Sequence, residues 1–526
     1  MVRRLQGVFI AVLVLFIVAP GVYGDEAEFV VSFLPSRIRF NPIETYTATE
    51  AQIYTAIYEG LVGYHPLTVR AVPAVAREWE ISSDGTVYTF SLRNGARYWN
   101  GDRVTAQHFR DTWLALLDPA AESAYSFLFD SIAGAEEYRS GKNSDPESVG
   151  IRAVADDVLE LTLHQPAPHF IDVLAHHSFV PVHPRMLQDG DWEQGEEIIG
   201  NGPFRIIEHT AEEIVLSRND HYWDRRNVRI PRLRLIFSED DEQVTQAFND
   251  GEIHWAAGGM MLDQVARPQS IVVNPMFATT YFFFVSDREP WDDPRVRRAL
   301  TLLLPWDRIR DSEIHFAPAR TLVPVIPGYP DVVGIVEQDL DEAFELLEMA
   351  GFPEGDGLEE PVIRIPGGLE NSRIVTLMRE SWEEYLGLES HVEVVRYPEY
   401  FDSLSEDRAY AVATVSWIGD FADPLTFLQM WTSQSNLNES GFNNPDYDRL
   451  VREGATLRGE TRYETLSRAE RMLLETAVVL PISHSPAINL IDLSTVDGWY
   501  PNPLDIHPFK YLRLLGLTPA PGVVRF

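Results

Sequence analysis

The chain has no cysteine among its 526 residues. That excludes disulfides, thiolate nucleophiles, thiolate zinc sites and a lipid anchor on an N-terminal cysteine. Lysine is nearly missing as well: Lys142 and Lys510 are the two, so almost all positive charge is arginine. Basic residues as a whole are outnumbered, 43 Lys and Arg against 80 Asp and Glu, for a formal net charge of −37. Nucleic acid is thereby a poor partner, because phosphate binding needs a basic field, and anionic membrane surfaces are disfavoured for the same reason. The apolar run from Val8 to Val18 is shorter than the roughly 18 residues of a membrane span, and no later run reaches that length. There is no fixed-period repeat, and HExxH, a Walker loop, GxGxxG after a strand and the GxSxG elbow are all absent.

What is present begins with an address. Arg3 and Arg4 precede the apolar run, and Pro20 and Val22-Tyr23-Gly24 follow it. A basic stretch, an apolar stretch and small residues in that order read as a secretory signal cleaved after Gly24. Removing Arg3 and Arg4 takes the exported chain to about −39, a solvated acidic surface. At this length, with 45% apolar residues, two or three domains with their own cores are expected.

Local patterns alternate between the two periods. EFVVSFL (Glu28 to Leu34) reads as a strand, and AQIYTAIYEGL (Ala51 to Leu61) as a helix stopped by Gly60. TVYTFSLR (Thr86 to Arg93) alternates like a half-buried strand between turn signals. Thr105 is an expected N-cap for a helix to about Leu117. A further alternating strand lies within Ala155 to Pro168, and two strands within Asn201 to Asp224. Helices are expected from Asp293-Pro294 to Leu304, over Asp341 to Met349 and over Ser372 to Leu386, followed by the strands HVEVVRY and AVATVSWI. Strand–helix–strand order with long crossovers implies an α/β architecture with mixed sheets.

One stretch stands out. SWIGDFADPLTFL runs from an apolar strand straight into Asp420, and a carboxylate beside apolar aromatics calls for a positive partner. Asp420 with Asp423 also forms the kind of carboxylate pair a glycoside hydrolase uses, though such pairs are frequent by chance in so acidic a chain. His176, His177 and His183 in HHSFVPVH have no cysteine or acidic ligand set beside them, so no metal site is expected there.

Several segments, in order, resemble one family. FNPIETYTATEAQIYTAIYEGLVGY, then PAVAREWEISSDGTVYTFSLRNGARYWNGDRVTAQHFRDTW, IIGNGPFRI, RNDHYWD, WDDPRVRRAL, SWIGDFADPLTFL and LPISH are similar to bacterial extracellular solute-binding protein family 5, above all to its oligopeptide receptors. The resemblance covers essentially the whole exported chain. It implies an α/β, three-lobed periplasmic binding protein: two mixed-sheet lobes joined by a hinge around a ligand cleft, plus an extra lobe. The implied boundaries are signal 1–24, lobe I at 25–58, 187–285 and 488–526, lobe II at 59–186, and lobe III at 286–487.

The resemblance further implies a monomeric periplasmic receptor, without cofactor or catalysis, that hands short peptides to the permease subunits of an ABC importer. Asp420 is the position whose counterpart pairs with the peptide α-amino group. Ser416 and Ile418 would offer backbone groups to an extended ligand, Trp417 would wall the cleft, and Tyr125 would lie near the peptide main chain. Arg373 matches a carboxylate-binding arginine of dipeptide receptors. Two departures stand beside these matches: Thr414 replaces an arginine, and Pro481-Ile482-Ser483-His484-Ser485 lacks a tyrosine after its proline. They leave open a receptor for a metal chelate, haem or oligosaccharide on the same fold, or an exported hydrolase.

Overall fold

The computed structural model describes residues 28–515 except 46, 168, 312–316, 370 and 398; the expected signal at 1–24 lies outside the described residues. Most expected elements form close to where the patterns put them. Thr105 caps the helix Ala106–Leu116, Asp293 caps Pro294–Leu302 by accepting from Arg295 N–H at 2.8 Å, and Gly351 at φ 92° closes Leu340–Ala350. Gly60 is different. The helix Ala48–Ile57 opens on a Thr47–Glu50 capping box and ends at an extended Tyr58, before the glycine. A Cβ at Gly60 would meet Phe179 O and Val62 O at 3.3 Å, so glycine serves a close passage of backbones there, not the helix stop.

Three sheets organise the chain. The first has seven strands in the order Ile271–Pro275, Pro486–Ile491, Trp255–Ala257, Glu28–Phe33, Arg232–Phe237, Glu213–Arg218, Phe204–His209. Glu28–Phe33 is parallel to both neighbours, and the remaining pairs are antiparallel. The second is a four-stranded antiparallel sheet in the order Ala76–Ile81, Val87–Leu92, Val158–Thr162, Ile151–Ala155. The third has six strands: Ala317–Pro318, Val479–His484, Ala278–Phe284, Val412–Ile418, Val362–Pro366, His391–Val395. Each sheet anchors one lobe.

Within the six-stranded sheet Val412–Ile418 is buried at five of its seven residues, which is why it reads as a near-continuous apolar run. Phe282 and Phe284 pack with Trp291 and with Trp382 of the helix Arg373–Leu386. Tyr281 and Phe283 face the other way, edge-on to Trp431 at 5.6 and 6.0 Å.

The chain passes between the two large sheets twice. One crossing lies between Pro275 and Ala278, the other between His484 and Pro486. They run side by side, with Pro275 paired to Pro486 before them and Thr280 to Ser483 after. Sheet membership therefore changes somewhat ahead of the implied boundaries at 285 and 487. Two adjacent extended connections are the form of a two-stranded hinge.

Candidate functional site

The strand Val412–Ile418 is central in its sheet but is not paired along both sides. Ala278–Phe284 accompanies it over all seven residues. On the opposite side Val362–Pro366 pairs it only at Val412 and Ala413. Val285 N–H donates to Ala411 O, and Gly419 N–H to Phe277 O at 2.8 Å, so residues 413, 415 and 417 exchange bonds with the neighbour in the same phase. The backbone groups of residues 414, 416 and 418 therefore face the open side. Those of Thr414 are already met, because the Tyr400 hydroxyl donates to Thr414 O at 2.7 Å and accepts from Thr414 N–H at 3.3 Å. Ser416 and Ile418 face a side where no strand pairs among the described residues.

The strand ends in a fixed turn. A Cβ at Gly419 would stand 2.6 Å from Phe277 Cδ1 and 2.9 Å from Thr426 Cγ2, so only glycine lets the backbone pass. Thr426 Oγ1 then accepts from Asp420 N–H at 2.8 Å and donates to Asp420 Oδ2 at 2.9 Å. The Trp417 indole donates to Thr426 O at 3.1 Å, and the side chain is buried. Trp417 thus braces the turn from the core side.

Asp420 Oδ1 points at the four-stranded lobe. His176 Nε2 comes within 3.3 Å of it, outside hydrogen-bond alignment. His176 Nδ1 accepts from Ser178 N–H, so the neutral ring carries its proton on Nε2, towards the carboxylate. Tyr125 is buried edge-on to His176 at 4.5 Å, and Tyr64 donates to Asp420 O at 3.4 Å. Burial first, then the charges of Asp420 and Asp172, holds the Tyr64 phenol well above its ordinary range. The Asp420 side chain is 8% exposed, so its charge is felt strongly by whatever reaches it.

Of the residues singled out from sequence, Asp420, Trp417, Ser416 and Ile418 lie on one strand and turn, and Tyr125 is brought to them through His176. Arg373 is the first residue of its helix and exposed; it forms no ion pair among the described residues, and no contact links it to Asp420. Thr414 is buried, its hydroxyl donating to Tyr281 O at 2.9 Å, so that position cannot reach a ligand. Asp423 accepts from Arg462 at 2.7 Å and from Leu425 N–H at 3.0 Å. A hydrolytic pair with Asp420 would have to break both bonds. Sequence reasoning missed His176, whose doublet with His177 was weighed only as a metal ligand, and Tyr400, which carried no signal beyond its aromatic ring. Among the described residues no cluster of three or more His, Asp or Glu has the arrangement to hold a metal ion.

Contacts also join the lobes. Arg39 Nη2 reaches Asp402 Oδ1 at 2.6 Å, from the seven-stranded to the six-stranded lobe. Arg139 donates to Gln434 O at 2.8 Å and Asn436 to Ser123 O at 2.7 Å, from the four-stranded to the six-stranded lobe.

Comparison with known proteins agrees with this architecture. The model of the family described as bacterial extracellular solute-binding proteins, family 5 Middle, matches residues 70–439. The oligopeptide-binding protein OppA of Bacillus subtilis is 29% identical over 432 residues, 78% of each chain. The periplasmic murein peptide-binding protein MppA of Escherichia coli is 27% identical over 483 residues, 88% of each. The solved structure of the Escherichia coli murein tripeptide binding protein MppA superposes with a TM-score of 0.85 at 26% identity, covering 93% of this chain and 98% of that one. MppA in its unliganded open form superposes at only 0.62, covering 93% and 97%. The lobes here are thus arranged unlike that open form.

Proposed function

This chain belongs to the bacterial extracellular solute-binding proteins of family 5, and from that premise we propose that it captures short peptides and delivers them to an ABC importer. It binds and releases; it performs no chemistry on the ligand. The relatives named for oligopeptides and murein peptides support this reading, and one observation of this chain carries it. A central strand leaves two residues of backbone, Ser416 and Ile418, facing an unpaired side, and ends at a buried carboxylate.

An extended peptide laid along that side adds a strand through main-chain bonds, which are blind to side-chain identity. Its α-ammonium arrives at Asp420 Oδ1, where it meets a full charge in place of the misaligned His176 donor. Thr426 keeps the other oxygen in place. The Tyr400 hydroxyl ends the free side at Thr414, so the ladder is short and suits short ligands. We assign the ligand carboxylate to Arg373, exposed on the helix that follows the neighbouring strand, because a guanidinium grips a carboxylate bidentately. The two side-by-side crossings between the large sheets provide the hinge about which the lobes close.

The basic-then-apolar N-terminal stretch supports export through a cleavable signal, and the chain then works as a monomer in the periplasm, recognised by the permease when closed.

Calorimetry with a tripeptide in free and N-acetylated forms tests the reading. The free peptide is expected to bind at about micromolar Kd or tighter, on the order of −8 kcal/mol. Acetylating the peptide, or the substitution Asp420→Ala, is expected to remove roughly 3–5 kcal/mol, the cost of leaving a buried charge unpaired. Equal affinities for the two forms on the unaltered protein would overturn the assignment of Asp420.

A further inference from the structure

Where the three lobes meet there is a cavity of about 220 Å³. That is far above the ~10–15 Å³ that one water needs. Arg39 and Glu44 line it from the seven-stranded lobe, Glu122 from the four-stranded lobe, and Asp402 and Glu439 from the six-stranded lobe. Four carboxylates thus face one guanidinium, and that guanidinium is held by Asp402 at 2.6 Å. Glu44 accepts from Asn41 Nδ2 at 2.9 Å.

Glu439 differs from the others. It is 9% exposed and takes part in no side-chain hydrogen bond or ion pair among the described residues. Burial pushes its carboxyl up to about 7, against the pull of Arg408. Arg408 is itself paired with Asp287 at 2.6 Å. A nine-tenths-buried carboxyl on a cavity wall, without a donor, is costly unless it is protonated or a cation is brought to it.

Two segments of the cavity wall run on in the chain to residues at the two ends of the proposed ladder. Ser123 on its wall is two residues from Tyr125, which packs on His176 beside Asp420. Phe401 and Asp402 on its wall follow Tyr400, whose hydroxyl closes the free side at Thr414.

We propose that this cavity receives a cationic side chain of the bound peptide, a lysine or arginine whose head group is met by Glu439. The inference rests on the peptide-binding reading and adds a preference to it. A norleucine in the same place would fill the space and leave the carboxyl without a partner, and an acidic side chain would meet like charge.

The test is calorimetry with alanine tri- and tetrapeptides in which one residue, moved along the chain, is lysine or norleucine. At one position lysine is expected to bind at least tenfold more tightly than norleucine, and arginine likewise. In Glu439→Gln, or in Glu439→Ser should the amide not fold, that ratio is expected to fall to within twofold. If all-alanine peptides bind but no position favours lysine, the cavity assignment fails while the peptide reading stands. A preference that survives both variants overturns the role of Glu439. If none of the peptides binds, the peptide reading has failed and this inference with it.

Discussion

The middle strands of the two large sheets, Glu28–Phe33 and Val412–Ile418, are alike in length and burial but not in pairing. Ser32 sits opposite Ile236 on one side and Ala256 on the other, so both phases of that strand end in protein. Ser416 has Thr280 on one side and, among the described residues, no strand on the other. The difference comes from the neighbour: Val362–Pro366 meets the strand over two residues and then ends at Pro366, which cannot donate to a ladder. A buried sheet tolerates open backbone only where something else satisfies it, and here that is the Tyr400 hydroxyl at one residue and, in our reading, ligand at the next two.

Proline substitutions break the comparison most sharply. Ser32→Pro and Val415→Pro each remove a ladder donor and drive a proline ring against the neighbouring strand, and are expected to cost on the order of 3–5 kcal/mol in denaturant unfolding. Ser416→Pro removes an N–H that faces the open side. It is expected to stay within about 1 kcal/mol of the parent in the same measurement, while peptide binding is lost. If Ser416→Pro unfolds like Val415→Pro, the phase assigned to the strand is wrong.

A pH series sharpens the contrast between lobes. The two carboxyls pushed up to about 7 by burial, Glu439 and Glu470, both accompany the six-stranded sheet. Glu470 Oε1 accepts from Leu322 and Val323 N–H at 2.8 and 2.9 Å. A carboxyl with a raised native pKa binds its proton more tightly folded than unfolded. Its contribution is therefore complete below about 4.5 and is lost as pH rises through about 7. Glu470→Gln should match the parent near pH 4.5 and be more stable at pH 8 by on the order of 2–3 kcal/mol, read as a widening gap in melting temperature. A gap that does not change with pH would mean that Glu470 does not titrate in this range.

The smallest effect concerns the turn. Trp417→Phe keeps the aromatic packing and loses the indole bond to Thr426 O. A loss of about 1 kcal/mol in denaturant unfolding is expected. No loss would mean that Thr426 alone holds Asp420.

Much of this was legible in the residues. The strand alternation in TVYTFSLR, the caps at Thr105 and Asp293 and the stop at Gly351 are local signals, and the elements formed where they pointed. Gly60 misled because a glycine demanded by a distant carbonyl, Phe179 O, looks the same in sequence as one demanded by a helix end. Asp420 was legible as a charge at an apolar edge. Tyr125 was reached only through the family resemblance, and His176 and Tyr64 were not legible as neighbours of Asp420, since they lie hundreds of residues earlier and meet it only where two lobes touch.

The sequence by itself determined the α/β alternation, the acidity, the absence of thiol chemistry and the run of motifs that marks the family, because those depend on local period, composition and order. Tertiary structure alone decided which side of Val412–Ile418 stays open, that Asp423 is tied to Arg462, and that Glu439 is buried at the meeting of three lobes with no side-chain partner among the described residues. Each of these depends on which distant segment arrives beside a residue, and a one-residue period carries no record of its neighbour across space.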